Sequence, residues 1–371
     1  MKIKGAVLEE IGRKAPYAQS RPITISELEL DPPGPGEILV KINAAGLCHS
    51  DLSVVNGNRP RPVPMLLGHE SAGTVVELGD GVDDLKVGDR VIMTFLPRCG
   101  KCPGCLTDGK LPCSVGSASN GAGTLLGGGM RLHRDGKEIK HHLGVSGFAT
   151  YAVVNRLSVV PVALDVPVEV AAVMGCAVLT GGGAVINAGH PEDGQDVIVI
   201  GLGGVGMAAV LTAVALGKGK VIGVDALESK LPLAKKMGAH EVYTVDQALE
   251  AKVKAPIVIE AAGHVKAFEA AVALACPGGL TITVGLPHPD ARSEISPALL
   301  TAEARTLMGS YLGSAVPSRD IPTYVEMWRE GRLPVQDLIS STIKLEDINE
   351  AMDALESGTA MRQVIVFDES E

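Results

Sequence analysis

The strongest constraint on the fold is the stretch Gln195–Asp225, where an apolar run, a glycine-rich turn, an Ala-rich apolar segment and a second apolar run follow one another. This order predicts a strand, a turn, a helix and a strand. Glycines in the turn Gly201–Gly206 allow a tight bend, close approach of a pyrophosphate and close helix–strand packing. Asp225 lies 19 residues after Gly206, where a carboxylate can accept from both ribose hydroxyls and repels a 2′-phosphate. The stretch predicts a dinucleotide site for NAD rather than NADP.

Composition narrows the class of protein. A chain of 371 residues favours two domains. The net charge of −10, without a basic block, argues against nucleic acid and anionic membranes, and only 3% of the residues are aromatic. The N-terminus lacks the apolar region of a signal peptide, and we expect no membrane-spanning segment. We therefore expect a cytoplasmic protein whose seven cysteines serve metal binding or catalysis before disulfides.

Pattern changes along the chain predict where each kind of structure lies. The first part has the short alternating runs of β-structure, and a βαβ rhythm begins at Asp196. Residues 114–147 are rich in Gly and Ser and predict a long irregular loop. The predicted strands are Ile23–Leu30, Glu37–Asn43, Gly73–Leu78, Val87–Ile92, Val197–Ile200, Val221–Val224, Glu241–Val245, Ile257–Glu260, Leu280–Val284 and Gln363–Phe367. The predicted late helices are Ile321–Glu330 and Leu345–Ser357.

A cysteine cluster predicts a structural zinc site. Cys99, Cys102, Cys105 and Cys113 place four thiolates within 15 residues, and zinc prefers four such ligands in a tetrahedron. Because all four positions are cysteine, no coordination position is left for a substrate. Free or disulfide-linked thiols and an iron–sulfur cluster are the alternatives.

A second candidate metal site is dispersed in the sequence. Cys48, His69 and Cys176 could hold a zinc ion with one open position, and Asp51 and Glu70 lie beside them. Spacing alone leaves two other interpretations open: His69 as a hydrogen-bonded interior histidine, and Cys176 as a small buried apolar residue.

The order of the motifs resembles one family. Gly68-His-Glu with Gly73 and Gly79, the cysteine quartet, Gly175-Cys176 with Thr180-Gly181, and the turn Gly201–Gly206 are similar to the zinc-dependent alcohol dehydrogenases of the medium-chain dehydrogenase/reductase superfamily, in their long-loop form. The resemblance covers essentially the whole chain. It implies an α/β protein: a GroES-like β catalytic domain (residues 1–178 and 312–371), a Rossmann doubly wound parallel-sheet coenzyme domain (residues 179–311) and an active site in the cleft between them.

The resemblance also implies roles for individual residues. Cys48, His69 and Cys176 would bind the catalytic zinc, Asp51 would orient His69, Glu70 would assist ligand exchange, and Ser50 would accept the alcohol proton. The implied coenzyme residues are His49 and Arg362 at the pyrophosphate, Lys230 at the adenosine ribose, Thr180 and Val205 at the nicotinamide, and Gly201, Gly203, Gly204 and Gly206 in the turn. The pocket candidates are Phe95, His142, Leu143 and Leu286.

The expected reaction is oxidation of a primary or aromatic alcohol to the aldehyde, and its reverse, with NAD and two zinc ions per subunit. Many relatives end the proton relay at a histidine three residues after the serine, where this chain has Ser53; water or His49 could replace it. One alternative is oxidation of S-(hydroxymethyl)glutathione. Relatives with that activity have an arginine directly after the fourth structural cysteine and acidic residues near the pocket mouth. This chain has Ser114 after that cysteine and Arg59 and Arg61 near the pocket, which disfavours the alternative. A polyol dehydrogenase, disfavoured by Cys176, is another. The resemblance implies a homodimer, with a tetramer as the alternative.

Overall fold

The structure, a computed structural model, describes residues 1–368. The chain divides into two compact units. The first contains Met1–Cys176, Val316–Pro322 and the segment that begins at Ile339. The second contains Ala177–Ala315 and Thr323–Leu338. The second unit thus includes Thr323–Leu338, which lies in the segment predicted for the catalytic domain (residues 312–371).

The secondary structure alternates short strands with helices. The strands are β1 Lys2–Leu8, β2 Ile23–Leu30, β3 Glu37–Gly46, β4 Met65–Leu66, β5 Ser71–Leu78, β6 Arg90–Met93, β7 Leu132–Arg134, β8 Lys137–Glu138, β9 Lys140–His141, β10 Tyr151–Asn155, β11 Val159–Val162, β12 Val197–Ile200, β13 Val221–Asp225, β14 Glu241–Thr244, β15 Ala255–Glu260, β16 Ala275–Thr283, β17 Thr306–Gly309, β18 Ser341–Ile343 and β19 Gln363–Val366. The helices are α1 Tyr17–Ser20, α2 His49–Val55, α3 Ser114–Ala122, α4 Val168–Gly189, α5 Gly204–Leu216, α6 Leu231–Lys236, α7 Val245–Glu250, α8 Val265–Leu274, α9 Pro297–Ala302, α10 Pro317–Arg329 and α11 Ile348–Glu356. Short 3-10 turns cover Cys105–Thr107, Arg156–Ser158, Glu228–Lys230, Tyr311–Ser314, Val335–Leu338 and Leu345–Asp347.

The first unit is built on two mainly antiparallel sheets. One has the strand order β8-β7-β2-β1-β4-β9, and the other has the order β11-β6-β5-β3-β19-β18, with β10 also paired to β3. Alternate residues of β3, such as Ile38, Val40 and Ile42, are fully buried and pack in one apolar core with α11. The late segment therefore returns to complete a sheet that the first fifty residues begin.

The second unit contains one six-stranded parallel sheet. Its order is β14-β13-β12-β15-β16-β17, the 3-2-1-4-5-6 order of a doubly wound fold. Buried β-branched residues such as Ile198, Val199 and Val258 fill the central strands, because helices cover both faces of a parallel sheet. The strand order reverses between β12 and β15, so a crevice for a ligand is expected at their carboxyl ends.

The prediction of an irregular loop over residues 114–147 is wrong for much of its length. Residues Ser114–Ala122 form α3, and the strands β7, β8 and β9 follow. Gly and Ser have low helix propensity, but the Cys113 sulfur caps the helix by accepting from the Gly116 N–H at 3.3 Å, and Gly123 ends it in the left-handed conformation. Capping and tertiary contacts therefore override the local composition.

One helix of the described chain, α4, is long and apolar enough to cross a membrane by length and composition alone. Residues 170–189 of this helix form an uncharged run, which the expectation of no membrane-spanning segment did not take into account. Because 89% of that run is buried inside the fold, the composition is that of a core helix.

Candidate functional site

Four buried side chains of the first unit meet around one point. Cys48 precedes α2, His69 and Glu70 precede β5, and Cys176 lies in a π-helical part of α4. One ligand atom from each lies within 4.8 Å of all the others, and Cys176 Sγ is 3.5 Å from His69 Nε2. Zinc bonds of about 2.3 Å to sulfur and 2.0–2.1 Å to nitrogen give a tetrahedral S···N edge of about 3.6 Å, so the residues fit the ion.

Glycines allow the chain to bring these ligands together. At Gly68 (φ +94°) a Cβ atom would lie 2.4 Å from the Phe148 nitrogen, and at Gly175 it would lie 2.1 Å from the Met93 oxygen. Neither clash is with a movable side chain. Each glycine therefore lets the next residue, His69 or Cys176, approach the site.

Asp51 lies against the imidazole of His69. Its Oδ1 lies 3.0 Å from His69 Nδ1, and its Oδ2 accepts from the Cys48 N–H at 3.1 Å. The contact leaves His69 Nε2 free to bind a metal. Burial raises the pKa of Asp51, but the opposite effects of the neighbouring His69 and His142 are together larger. The pKa of Asp51 is therefore lowered to about 2.

Glu70 and Arg362 form a buried ion pair next to the ligands. Arg362 Nη1 donates to Glu70 Oε2 at 3.1 Å and to the Leu47 carbonyl at 2.6 Å. Glu70 Oε1 and Arg362 Nε have no hydrogen-bond partner among the described residues. Burial raises the pKa of Glu70 to about 8, opposed by the charge of Arg362. An unpartnered carboxylate oxygen beside two thiols and an imidazole is a further sign that the site accepts a cation. The role of Arg362 at the pyrophosphate stays a prediction.

The cysteine quartet forms a second metal-binding group. The four sulfurs of Cys99, Cys102, Cys105 and Cys113 lie within 4.8 Å of one another. Two of the edges measure 3.9 Å (Cys99 to Cys105) and 3.8 Å (Cys102 to Cys113). Disulfide sulfurs would be about 2.0 Å apart, whereas thiolates around zinc are about 3.8 Å apart. A hydrogen bond from Ser114 lowers the pKa of the Cys102 thiol to about 5, which favours the thiolate.

The residues of the expected proton relay lie at the start of α2. Ser50 is half-buried and His49 is exposed. Ser53, which occupies the position of the relay histidine in many relatives, donates its hydroxyl to the His49 carbonyl at 2.7 Å. Its proton is thus engaged with the helix backbone, and the exit of the relay through water or His49 stays a prediction.

In the second unit the glycine turn has the expected form. Gly201 has φ +91°, and a Cβ there would lie 2.5 Å from the Ala262 nitrogen; at Gly206 it would lie 1.8 Å from the Gly201 oxygen. Gly203 precedes α5, and Gly204 and Val205 open it, so the free N–H groups of α5 begin at this turn. Gly181, next to the buried Thr180, contacts the Val205 backbone closely.

Asp225 ends β13 with its carboxylate fixed by the backbone. Its Oδ2 accepts from the Leu202 N–H at 2.6 Å and its Oδ1 from the Leu227 N–H at 2.9 Å. Lys230 Nζ lies 3.6 Å from Oδ2. The carboxylate is thus anchored at the turn where the sequence places a ribose.

Comparisons with known proteins agree with this geometry. Residues 34–164 match the alcohol dehydrogenase GroES-like domain, and residues 204–330 match the zinc-binding dehydrogenase domain. Alcohol dehydrogenase B of Mycobacterium tuberculosis is 33% identical, with all of both chains covered. This chain belongs to the zinc-dependent alcohol dehydrogenases of the medium-chain superfamily. The predicted family, fold class and enzymatic nature are confirmed.

Two further relatives of this alcohol dehydrogenase carry more specific names. The class-3 alcohol dehydrogenase of Cereibacter sphaeroides is 32% identical over 99% of this chain and 100% of its own. The crystal structure of benzyl alcohol dehydrogenase from Acinetobacter calcoaceticus superposes with a TM-score of 0.89 at 29% identity, covering 99% of this chain and 100% of that chain.

The structure brings some pocket candidates of this alcohol dehydrogenase to the metal site. The rings of Phe95 and His142 meet the His69 ring edge-on, with centroids 5.6 and 5.4 Å away. Leu143 follows His142 and is buried. Leu286 belongs to the second unit, where its side chain is 50% exposed.

Sequence reasoning missed one charged residue of the coenzyme unit. Glu260, 1% exposed, ends β15 at the point where the strand order reverses. It accepts from the N–H groups of Ala262 and Gly263 (2.8 and 2.6 Å) and from the Thr283 hydroxyl (2.7 Å). An acidic residue that directly ends a buried parallel strand was the available signal. Glu260 fixes the loop against which Gly201 packs.

Proposed function

We propose that this alcohol dehydrogenase oxidises a primary or aromatic alcohol to the aldehyde, and catalyses the reverse reaction, with NAD. The observation that carries the proposal is the buried group Cys48, His69 and Cys176, because two thiols and one imidazole leave a tetrahedral position open. Alcohol oxidation itself is the activity of the family.

Each side chain of the site has its own role in this reaction. When bound, zinc supplies the positive charge that lowers the pKa of an alcohol hydroxyl, and a nicotinamide supplies the hydride acceptor. Cys48, His69 and Cys176 would hold the ion, and Asp51 fixes the ring of His69. Ser50, half-buried at the start of α2, would accept the proton of the alcohol and pass it to water or His49. Arg362 keeps the Glu70 carboxylate in place.

Asp225 supports the choice of NAD. Its anchored carboxylate would repel a 2′-phosphate and accept from ribose hydroxyls. Lys230, 3.6 Å from this carboxylate, would lie near the same ribose. Steady-state kinetics with both coenzymes test this: we expect kcat/KM to be at least about tenfold higher with NAD. Equal values for the two coenzymes would contradict it, and Asp225→Asn should narrow the difference.

Apolar and aromatic groups beside His69 support an aromatic substrate. The buried rings of Phe95 and His142 meet the His69 ring edge-on, and the buried Leu143 follows His142 in the chain. The alternative substrate is S-(hydroxymethyl)glutathione, but no arginine follows Cys113; Ser114 begins α3 instead. A panel of benzyl alcohol, cinnamyl alcohol, ethanol and S-(hydroxymethyl)glutathione separates the two. Highest kcat/KM for the glutathione adduct would overturn the aromatic assignment.

The proposal also specifies the number of zinc ions per chain and the oligomeric state. Two zinc ions per chain are expected, whereas a polyol dehydrogenase would hold one. Strand β17 is the last strand of the parallel sheet, and its outer edge pairs with no other described strand. Such an edge can pair with a second copy of the chain, which is compatible with the homodimer that we propose. Light scattering of the purified protein tests this: a tetramer mass would contradict the dimer. A cytoplasmic location stays an expectation.

A further inference from the structure

His142 lies against the carboxylate that orients a metal ligand. Its side chain is 1% exposed, and its Nδ1 is 3.1 Å from Asp51 Oδ1, the same oxygen that lies 3.0 Å from His69 Nδ1. The planes of the two imidazole rings are inclined at 85°. His142 Nδ1 makes no aligned hydrogen bond within the described residues, and this buried polar atom lies beside the Asp51 carboxylate.

The backbone that carries His142 is under strain. The Val145 and Ser146 N–H groups both donate to the His142 carbonyl, at 3.1 and 3.2 Å, and the Ser146 hydroxyl accepts from the His142 N–H at 2.9 Å. Within this turn, Leu143 (φ 52°) and Ser146 (φ 54°) adopt the left-handed conformation, which is unfavourable for residues with a side chain. Such strain persists only where the surroundings enforce it, and it clusters at active sites.

The adjacent histidine has a different set of partners. His141 is equally buried, but its Nε2 accepts from the Arg131 N–H at 3.2 Å and its Nδ1 lies 3.5 Å from the Ser146 hydroxyl. Both nitrogens of His141 thus have neutral partners. Of these two adjacent histidines, it is His142 that lies beside Asp51.

We propose that His142 is a positioning residue that acts on the catalytic metal site through Asp51. By placing Nδ1 3.1 Å from Asp51 Oδ1, it gives the buried carboxylate a polar neighbour and restricts its movement. Asp51 in turn fixes the ring of His69, the ligand that it contacts. The inference rests on the proposed function only in taking Cys48, His69 and Cys176 as the ligands of the catalytic zinc. His142 then does more than line the substrate pocket.

The test is the rate at which zinc leaves the protein for a chromophoric chelator, which gives one kinetic phase for each site. The Cys176→Ser variant identifies the phase of the catalytic site. His142→Phe keeps a ring against His69 but removes the N–H group, and His142→Asn restores a donor near the position of Nδ1. His133→Phe is the matched control, because it breaks a histidine–carboxylate contact to Asp31 (2.9 Å) elsewhere in the same unit.

We expect catalytic zinc to leave His142→Phe about 10- to 100-fold faster than wild type, the range typical of residues that orient metal ligands. His142→Asn should return to within about threefold of wild type, and His133→Phe should match wild type. Wild-type release from His142→Phe, or equally fast release from the Phe and Asn variants, would overturn the proposal. So would an effect confined to KM for bulky alcohols. A wild-type protein with a single zinc would instead overturn the proposed function itself.

Discussion

The two metal-binding groups use the same kind of ligand in opposite settings. The quartet Cys99–Cys113 draws all four sulfurs from 15 consecutive residues, and Cys99 and Cys105 are partly exposed. The group of Cys48, His69 and Cys176 draws on widely separated segments and is buried. The local group would close the coordination sphere of an ion with sulfur alone. The dispersed group has two carboxylates, an arginine and two further rings around it.

This difference shows how surroundings decide what an ion can do. Four thiolates satisfy zinc and leave no position for a substrate, so the local group can only stabilise its loop. Three neutral or thiolate ligands leave one position open, and Asp51 fixes the geometry of that site. The following substitutions test whether the two groups differ in this way.

The largest effect is expected for Cys176→Ser. Alcohol oxidation should fall by at least about 10⁴-fold, because the group that acidifies the hydroxyl is lost or misplaced. Metal analysis should show zinc falling from two ions per chain to one. Cys276→Ser, at a partly exposed cysteine of β16, is the control and should keep both ions and the activity. Full activity of Cys176→Ser would remove this residue from the site.

Cys105→Ser should chiefly affect stability. Loss of a structural ion is among the few single changes that cost more than about 4 kcal/mol. Thermal unfolding followed by circular dichroism should show a lower Tm than in Cys176→Ser. An unchanged Tm together with a large loss of kcat would reverse the assignment of the two groups.

Ser50→Ala tests the dispersed group without touching a ligand. Turnover should fall about 10²- to 10³-fold, since a positioned proton acceptor contributes that much, while the zinc content stays at two. Ser53→Ala is the matched control, because that hydroxyl donates only to the His49 carbonyl. Equal activity of the two variants would exclude Ser50 from proton transfer.

The pH dependence of the free energy of unfolding tests the packing of the first unit independently of its metal sites. Burial, with smaller contributions from Arg131 and His133, lowers the pKa of His141 to about 3. Because the folded state binds this proton less readily than the unfolded state, stability is present at neutral pH and is lost as the pH falls below about 6.5. At pH 5 the loss should be about 2 kcal/mol, from 1.36 kcal/mol per pH unit.

The measurement for His141 is urea unfolding at pH 7 and pH 5. His141→Gln keeps an acceptor for the Arg131 N–H but does not titrate, so its stability should fall less between these pH values. An identical pH dependence in the variant and the wild type would assign the acid sensitivity to other groups, such as the metal ligands.

Local patterns predicted a large part of the fold. Strands β2 and β12 begin and end at the predicted residues, because uninterrupted apolar or alternating runs there are bounded by turn residues. The pattern failed for α3, whose Gly- and Ser-rich sequence is helical through the Cys113 cap and Gly123. It also failed to identify α4 as a long buried helix, because glycines interrupt its apolar run.

By itself the sequence determined what depends on near neighbours in the chain: the cysteine quartet, the glycine turn before α5 and the acid that ends β13. Their chemistry requires closely spaced residues, so spacing is sufficient. Only the tertiary structure decided which distant residues meet: that Arg362 pairs with Glu70, that Glu260 fixes the loop beside Gly201, and that His142 faces Asp51 while His141 does not. These contacts depend on strand pairing and buried turns, which no local pattern of residues encodes.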